Sequence, residues 1–396
     1  MKKIKLLIKN ILSQIDFLVS LLLALSCKYR AIEKSAVLIP AAEINGGFGE
    51  DVMVAGFINI CPMPVTVCAR RIMPRSYLQN SKVKCVEFHQ KKFIYCSLMK
   101  VLKSHTDLYI IGADILDGVY GNNVIRFNIL KIAHILGIHC HITGFSVREQ
   151  SSDYFKKKIR EVSTYTKILS RDVSSYSRLK MLCDNVIQTS DIAFLCPSPN
   201  MYECDKDVVE WVETKRNKGN KIIAYCPNTI QADKIGLKTY LNNQRILLES
   251  FTKMNCSILF LYHDLRKYVL NMSDKELSKM LSDYFADKGM FVDDITDGFQ
   301  LKAYLRLADF TVTGRMHFGI SGYTIGLPMF GLSYYGKFEG LQALFGIGAN
   351  CSLLDYDKVI DNLDIVNRFL LNFDDISKHT IENLPIVIKK AELNMV

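Results

Sequence analysis

The chain has 396 residues, 49% of them apolar and 23% charged, with a formal net charge of +10. That length suits two ordinary domains, and the absence of low-complexity stretches and fixed-period repeats excludes disordered scaffolds and solenoids. The positive charge fits an anionic partner, but basic residues are spread along the chain without an RNA-binding signature, which argues against nucleic acid.

The first 27 residues stand apart. Lys2, Lys3, Lys5 and Lys9 precede an apolar stretch, and Ile4, Ile8, Ile11, Ile15, Leu18, Leu22 and Leu25 recur at helical spacing with the lysines largely off that stripe. Ser13, Gln14 and Asp16 interrupt the stretch, so it falls short of a spanning helix. Three readings fit it: a basic amphipathic helix lying on an anionic membrane, a signal peptide, or a helix packed on the protein.

From residue 36 onward, short apolar runs alternate with amphipathic ones. Strands are expected at 36–40, 108–112, 138–143 and 167–170, with a glycine turn at 46–49 and helices at 51–60, 123–136 and from about 173. Pro197 and Pro199, flanked by polar residues, make 197–200 the best linker. Alternation then restarts, with helices at 208–218, 234–253 and 316–325 and strands at 221–225, 257–262, 309–313 and 328–332. The expected fold is α/β, with two Rossmann-like domains facing a cleft. The expected division is an extension over 1–35, domains over 36–196 and 201–375, and a helical tail over 376–396. Twelve cysteines at irregular spacing, with no CxxC pair, read as free thiols in a reducing cytoplasm and argue against a structural zinc.

In such sheets ligands collect beyond the carboxyl ends of the strands. Gly314, Arg315 and His317 follow one of these ends directly, at an expected helix N-terminus that favours an anion. Arg315 offers a planar fork for carboxylate or phosphate, and His317 a group that exchanges protons near neutral pH. Gly319, Gly322 and Gly326 share a face of that helix, a costly choice unless a backbone or ligand approaches closely. Arg171 and Asp172 hold the equivalent place in the first half, with Asp172 able to cap the next helix or orient the arginine. Gly46, Gly47, Glu50 and Asp51 form a loop open to ligand approach, or a plain turn, but neither a dinucleotide fingerprint nor a P-loop. His263 follows another strand end, and Lys337 follows the next strand as a point charge. His139 and His141 alternate on a strand with no third metal ligand in view.

The order of these segments resembles the polysaccharide pyruvyl transferase family. The likeness rests on the glycine-rich first turn, Arg171-Asp172 with Ser175, the strand before His263, Gly314-Arg315 with His317, Gly326-Leu327-Pro328, and a stretch from Tyr334 to Lys337. It runs from about Ala36 to Gly346. The first loop departs from it, reading Gly46-Gly47-Phe48-Gly49-Glu50-Asp51 in place of Gly-Asn-x-Gly-Asp-Glu. Ile111 to Asp114 likewise replaces a more glycine-rich turn.

The resemblance implies a GT-B-like fold, with phosphoenolpyruvate as donor and co-substrate, a sugar diol as acceptor, and neither metal nor further cofactor. It places the acceptor on the first domain and the donor on the second. Arg171 and Arg315 would hold the donor's carboxylate and phosphate, joined by Lys337, and His317 would be the general acid or base. The product would be a pyruvate ketal on a bacterial cell-surface polysaccharide or its lipid-linked precursor. The expected location is the cytoplasm, peripherally on the inner face of the plasma membrane. Two rivals remain: a GT-B glycosyltransferase using a nucleotide sugar, and a non-catalytic membrane-associated assembly protein.

Overall fold

A computed structural model describes residues 2–27, 33–88, 93–116, 124–198, 203–267, 269–334 and 336–395, with the side chains of 2–9 and of Lys337 outside the described set. The chain divides into two compact units. Unit 1 comprises Met1–Asn45, Phe57–Ile192 and Lys390–Val396; unit 2 comprises Gly46–Gly56 and Ala193–Lys389.

Among the described residues, unit 1 is built on a seven-stranded, wholly parallel sheet. Its strands are β1 (Ala36–Ile39), β2 (Val65–Ala69), β3 (Val83–Glu87), β4 (Asp107–Ala113), β5 (His139–Phe145), β6 (Thr166–Ser170) and β7 (Val186–Gln188), in the order β3-β2-β1-β4-β5-β6-β7. Its helices include α1 (Lys2–Ser26), the end of α2 (Phe48–Ile60), α3 (Ile94–Leu102), α4 (Val124–Ile135), α5 (Asp153–Val162) and α6 (Val173–Lys180). The central strands are largely apolar and buried because helices cover both sheet faces. Val37, Leu108, Ile110, Ile142 and Ile168 meet Leu98, Phe127, Leu130, Phe155 and Ile159 in one core.

Unit 2 repeats the plan with six parallel strands: β8 (Lys221–Cys226), β9 (Cys256–Phe260), β10 (Gly289–Phe291), β11 (Phe310–Thr313), β12 (Met329–Ser333) and β13 (Leu353–Asp355), ordered β10-β9-β8-β11-β12-β13. Around them lie α7 (Lys206–Asn217), α8 (Thr229–Ile235), α9 (Leu237–Thr252), α10 (Asp274–Ser282), α11 (Gly298–Leu305) and α12 (Met316–Tyr323). The two parallel sheets are those of two Rossmann-like domains.

The boundaries differ from those read off the sequence. Residues 46–56 belong to unit 2 because Gly47 bridges Asp264, Phe48 N donates to His263 O at 3.0 Å, and the Phe48 ring enters the unit 2 core. The same anchoring starts α2 at Phe48, three residues early. The single helix expected over 234–253 is two, split at Gly236, whose φ of 84° only glycine adopts without strain. The expected linker gives way to a unit boundary at Ile192, and Pro199 and Asn200 lie outside the described residues. The tail falls mostly in unit 2, yet residues 390–396 return to unit 1. There Asn394 accepts from Thr143 Oγ1 at 2.7 Å and donates to Ser190 O at 2.9 Å.

The N-terminal helix α1 packs on unit 1 against α3 and α4. The contact is made by Asp16, Ser20 and Ala24, all buried, with Phe17 against Tyr95 at 5.3 Å between ring centroids. Asp16 accepts from the backbone N–H groups of Tyr95 at 2.8 Å and Cys96 at 3.1 Å, and so caps α3, whose own N-cap residue Phe93 offers no side-chain bond. No described helix is long and apolar enough to cross a membrane.

Candidate functional site

Unit 2 gathers its polar side chains beyond the carboxyl ends of β8, β9 and β11. The strand order reverses between β8 and β11, and a doubly wound sheet opens a crevice at such a place. Asn228 holds this crevice together: its Nδ2 donates to Gly314 O at 2.7 Å, and its Oδ1 caps α8 through Ile230 N. Arg315 is the N-cap residue of α12, which puts His317 in the first turn of that helix.

The buried layer of the site is an arginine and a carboxylate. Arg315 Nε donates to Asp274 Oδ2 at 2.8 Å and Nη2 to Asp274 Oδ1 at 2.6 Å, and Nη2 also reaches Thr229 Oγ1 at 3.0 Å. Asp274 is wholly buried at the start of α10. Burial pushes its carboxyl above the usual range, and the Arg315 guanidinium opposes that shift. The fork expected for a substrate anion is thus already matched to a carboxylate of the protein.

Beside this pair lie the histidines. The rings of His263 and His317 are near parallel, 6.4 Å apart at 10°. Gly49 of α2 meets both. A Cβ there would stand 2.8 Å from His317 Nδ1 and 3.2 Å from His263 Cε1, so the glycine is required by the imidazoles. Burial, then the neighbouring His317, Arg315 and Arg266, hold the His263 pKa well below the ordinary histidine value, so its ring is neutral at pH 7. His263 is buried, and among the described residues its Nε2 has no hydrogen-bond partner.

The rim carries a second ion-paired group. Arg266 donates through Nε and Nη2 to Asp264 at 2.8 Å each, and Nη2 lies 3.3 Å from Glu50. Gly46 and Gly47 thread beside this arginine, Gly46 at a φ of 117°. Asp51 is buried. Lys337 opens the helix Lys337–Ala343, and its side chain lies outside the described residues.

The glycine face of α12 serves packing on the sheet. A Cβ on Gly319 would collide with Met329 Sδ of β12, and one on Gly322 with Thr311 Cγ2 of β11. Short contacts of this kind pull the helix, and with it His317, close onto the strand ends.

Unit 1 contains the equivalent arginine. Arg171, just past β6, donates Nη1 to buried Asp191 at 2.7 Å and Nη2 to Ser146 Oγ at 2.8 Å. Asp172 caps α6, accepting from Ser175 N and Ser175 Oγ at 2.7 Å each. Beyond the ends of β1 and β2, unit 1 also has a half-open cavity of about 310 Å³. It is lined mainly by apolar groups, among them Ile39, Phe88, Ile94, Leu98 and Ile129, with Arg126 beside them. Arg126 Nη2 donates to the carbonyls of Pro40 and Ala41. At the end of β4, Ala113 keeps a φ of 42°, a left-handed backbone that glycine favours, in the turn that departs from the more glycine-rich one of the resemblance. His141 stacks on Tyr109 and lies 3.4 Å from Asp107, and among the described residues no three His, Cys, Asp or Glu side chains converge on a metal position.

Sequence reasoning missed Asp274, Asp191, Asn228 and Arg266. Gly49→Ala tests the geometry. Alanine gains up to about 1 kcal/mol of helix propensity, which offsets much of the overpacking, typically about 1–3 kcal/mol. The unfolding midpoint should therefore move little. The displaced imidazoles should cost any chemistry they perform up to about 100-fold, read as kcat beside the unfolding midpoint of the same variant.

The family model described as polysaccharide pyruvyl transferase matches residues 58–335, more than half of the chain. A comparison with curated protein sequences found no match. Among solved structures, the chain is similar to UDP-GlcNAc 2-epimerase from Neisseria meningitidis bound to UDP-GlcNAc, with a TM-score of 0.59 and 13% identity over 91% of this chain and 98% of that one. It is also similar to a UDP-N-acetylglucosamine 2-epimerase, so described provisionally, from Listeria monocytogenes (TM-score 0.58, 11% identity, 89% and 91% covered). A glycosyltransferase from Rickettsia africae gives a TM-score of 0.53 at 12% identity, with 92% and 96% covered. At these identities the likeness establishes the GT-B-like fold.

Proposed function

The chain belongs to the polysaccharide pyruvyl transferase family, and from that premise we propose that it moves the pyruvyl group of phosphoenolpyruvate onto two hydroxyls of a sugar, releasing phosphate. The observation that carries this reading is the His317–His263 pair packed on Gly49 beside the Arg315–Asp274 pair, at the crevice of the unit 2 sheet.

The donor's methylene carbon takes a proton and becomes the ketal methyl. The first sugar hydroxyl adds to C2, and the second displaces phosphate there. Of the two hydroxyl protons, one balances the methyl and the other leaves with phosphate. His317 passes these protons as general acid and base. His263, neutral, orients a hydroxyl through Nε2. The positive field of Arg315, fixed by Asp274, and the N-terminus of α12 favour the donor's anionic groups as charge moves to the leaving phosphate.

The acceptor is a cell-surface polysaccharide or its lipid-linked precursor, met at the inner face of the plasma membrane. The apolar cavity of unit 1 supports the lipid-linked form, since its lining suits a hydrocarbon chain better than a sugar. The experiment is phosphate release from phosphoenolpyruvate against free and lipid-linked sugar acceptors, with thermal shifts by phosphoenolpyruvate and by nucleotide sugars in parallel. Acceptor-dependent release supports the reading. Stabilisation by nucleotide sugars alone, with no release, hands the case to a glycosyltransferase, a reading favoured only by the sugar-nucleotide names among the structural neighbours.

A further inference from the structure

We propose that the outward face of α1 is a docking surface for an anionic lipid bilayer. The helix is apolar on two sides. Its inward side is Asp16, Ser20 and Ala24, all buried against unit 1, with Phe17 and Leu21 packed on the same core. Its outward side carries Ile11, Ile15, Leu18, Val19, Leu22 and Leu25, all exposed, Leu22 at 68% and Leu25 at 70%. At helical periodicity Ile11, Ile15, Leu18, Leu22 and Leu25 fall within roughly 80° of arc, opposite the buried line. A surface helix of a water-soluble protein points such a stripe at the core. Here the polar line is held inward by specific bonds, from Asp16 to two backbone N–H groups of α3 and from Ser20 Oγ to Asp16 O at 2.7 Å. The apolar stripe is therefore presented to the outside by construction.

Charge identifies what covers it. The sequence of α1 contains Lys2, Lys3, Lys5 and Lys9, and its one acid, Asp16, is consumed in capping α3. A helix that is leucine-rich on one face, lysine-rich at one end and too short in apolar length to span lies in the interface plane of an anionic leaflet, sinking about 5–10 Å. A second copy of the chain would match the leucines but leave the lysines unanswered. Unit 1 would thereby sit on the membrane through a helix already part of its own body. The docking is independent of the reaction chemistry.

The test uses the full chain and sedimented vesicles, one set of phosphatidylglycerol mixed equally with phosphatidylcholine and one of phosphatidylcholine alone. Binding should favour the mixed vesicles by about tenfold or more and weaken with salt. The double variant Leu18→Ser, Leu22→Ser should lose about tenfold or more of that binding with an unchanged thermal midpoint and unchanged phosphate release on a soluble acceptor. Absence of vesicle binding overturns the proposal, as does binding that the variant retains. So does a wild-type dimer that the variant splits in sedimentation velocity, which assigns the face to a second copy.

Discussion

Replacing His317 with alanine should lower acceptor-dependent phosphate release by on the order of 10²–10⁴-fold, the usual worth of a positioned general acid–base. The ring is half-buried at the start of α12, so its loss should leave the fold intact. Two further readouts separate a proton-transfer role from a packing role. Imidazole added to His317→Ala should restore part of the rate, because the deleted ring leaves its own volume open against Gly49. Phosphoenolpyruvate should still stabilise the variant against heat, since the arginine–aspartate pair beneath is untouched. Full activity in the variant would remove His317 from the chemistry.

The second large effect is on stability. Asp274→Ala should cost about 3–5 kcal/mol, because it strands the Arg315 guanidinium in a buried site without its carboxylate. The chain has one tryptophan, Trp211 on α7, packed on the unit 2 core, so its fluorescence during urea unfolding reports the unit in which the pair resides. Asp274→Leu combined with Arg315→Met should recover much of the lost stability, as apolar replacements of buried ion pairs commonly do, and none of the activity. A single variant as stable as the wild type would mean that the pair is not what orders this crevice.

The sequence made the central strands of both sheets legible because their apolar runs are continuous, as in the stretches that became β4, β8 and β9. The edges were not. β3 mixes lysine and glutamate with valine and cysteine on a half-exposed edge, and β7 and β10 are three residues long. The histidine and arginine positions could be read from their places after strand ends, but their partners could not. Asp274 follows Ser273 in a capping box closed by Glu276, so by sequence it is one more acid in a helix's first turn. Only the fold carries it beneath Arg315, 41 residues away. Asp191 is hidden in the same way behind a short strand. As for α1, periodicity revealed its stripe, and the direction in which the stripe faces is decided by where Asp16 finds its donors.

The segment 46–56 has a consequence for how this protein can change over time. Gly49 and Glu50, which edge the histidines and the rim arginine, are encoded upstream of most of unit 1, yet they are built into unit 2. A gene fusion or crossover that inherits the chain from residue 193 onward acquires both histidines without the glycine on which they rest. Such a lineage changes unit 1 more readily by substitution within it than by exchanging it whole, since a replacement must bring a compatible eleven-residue insert for the other unit's crevice.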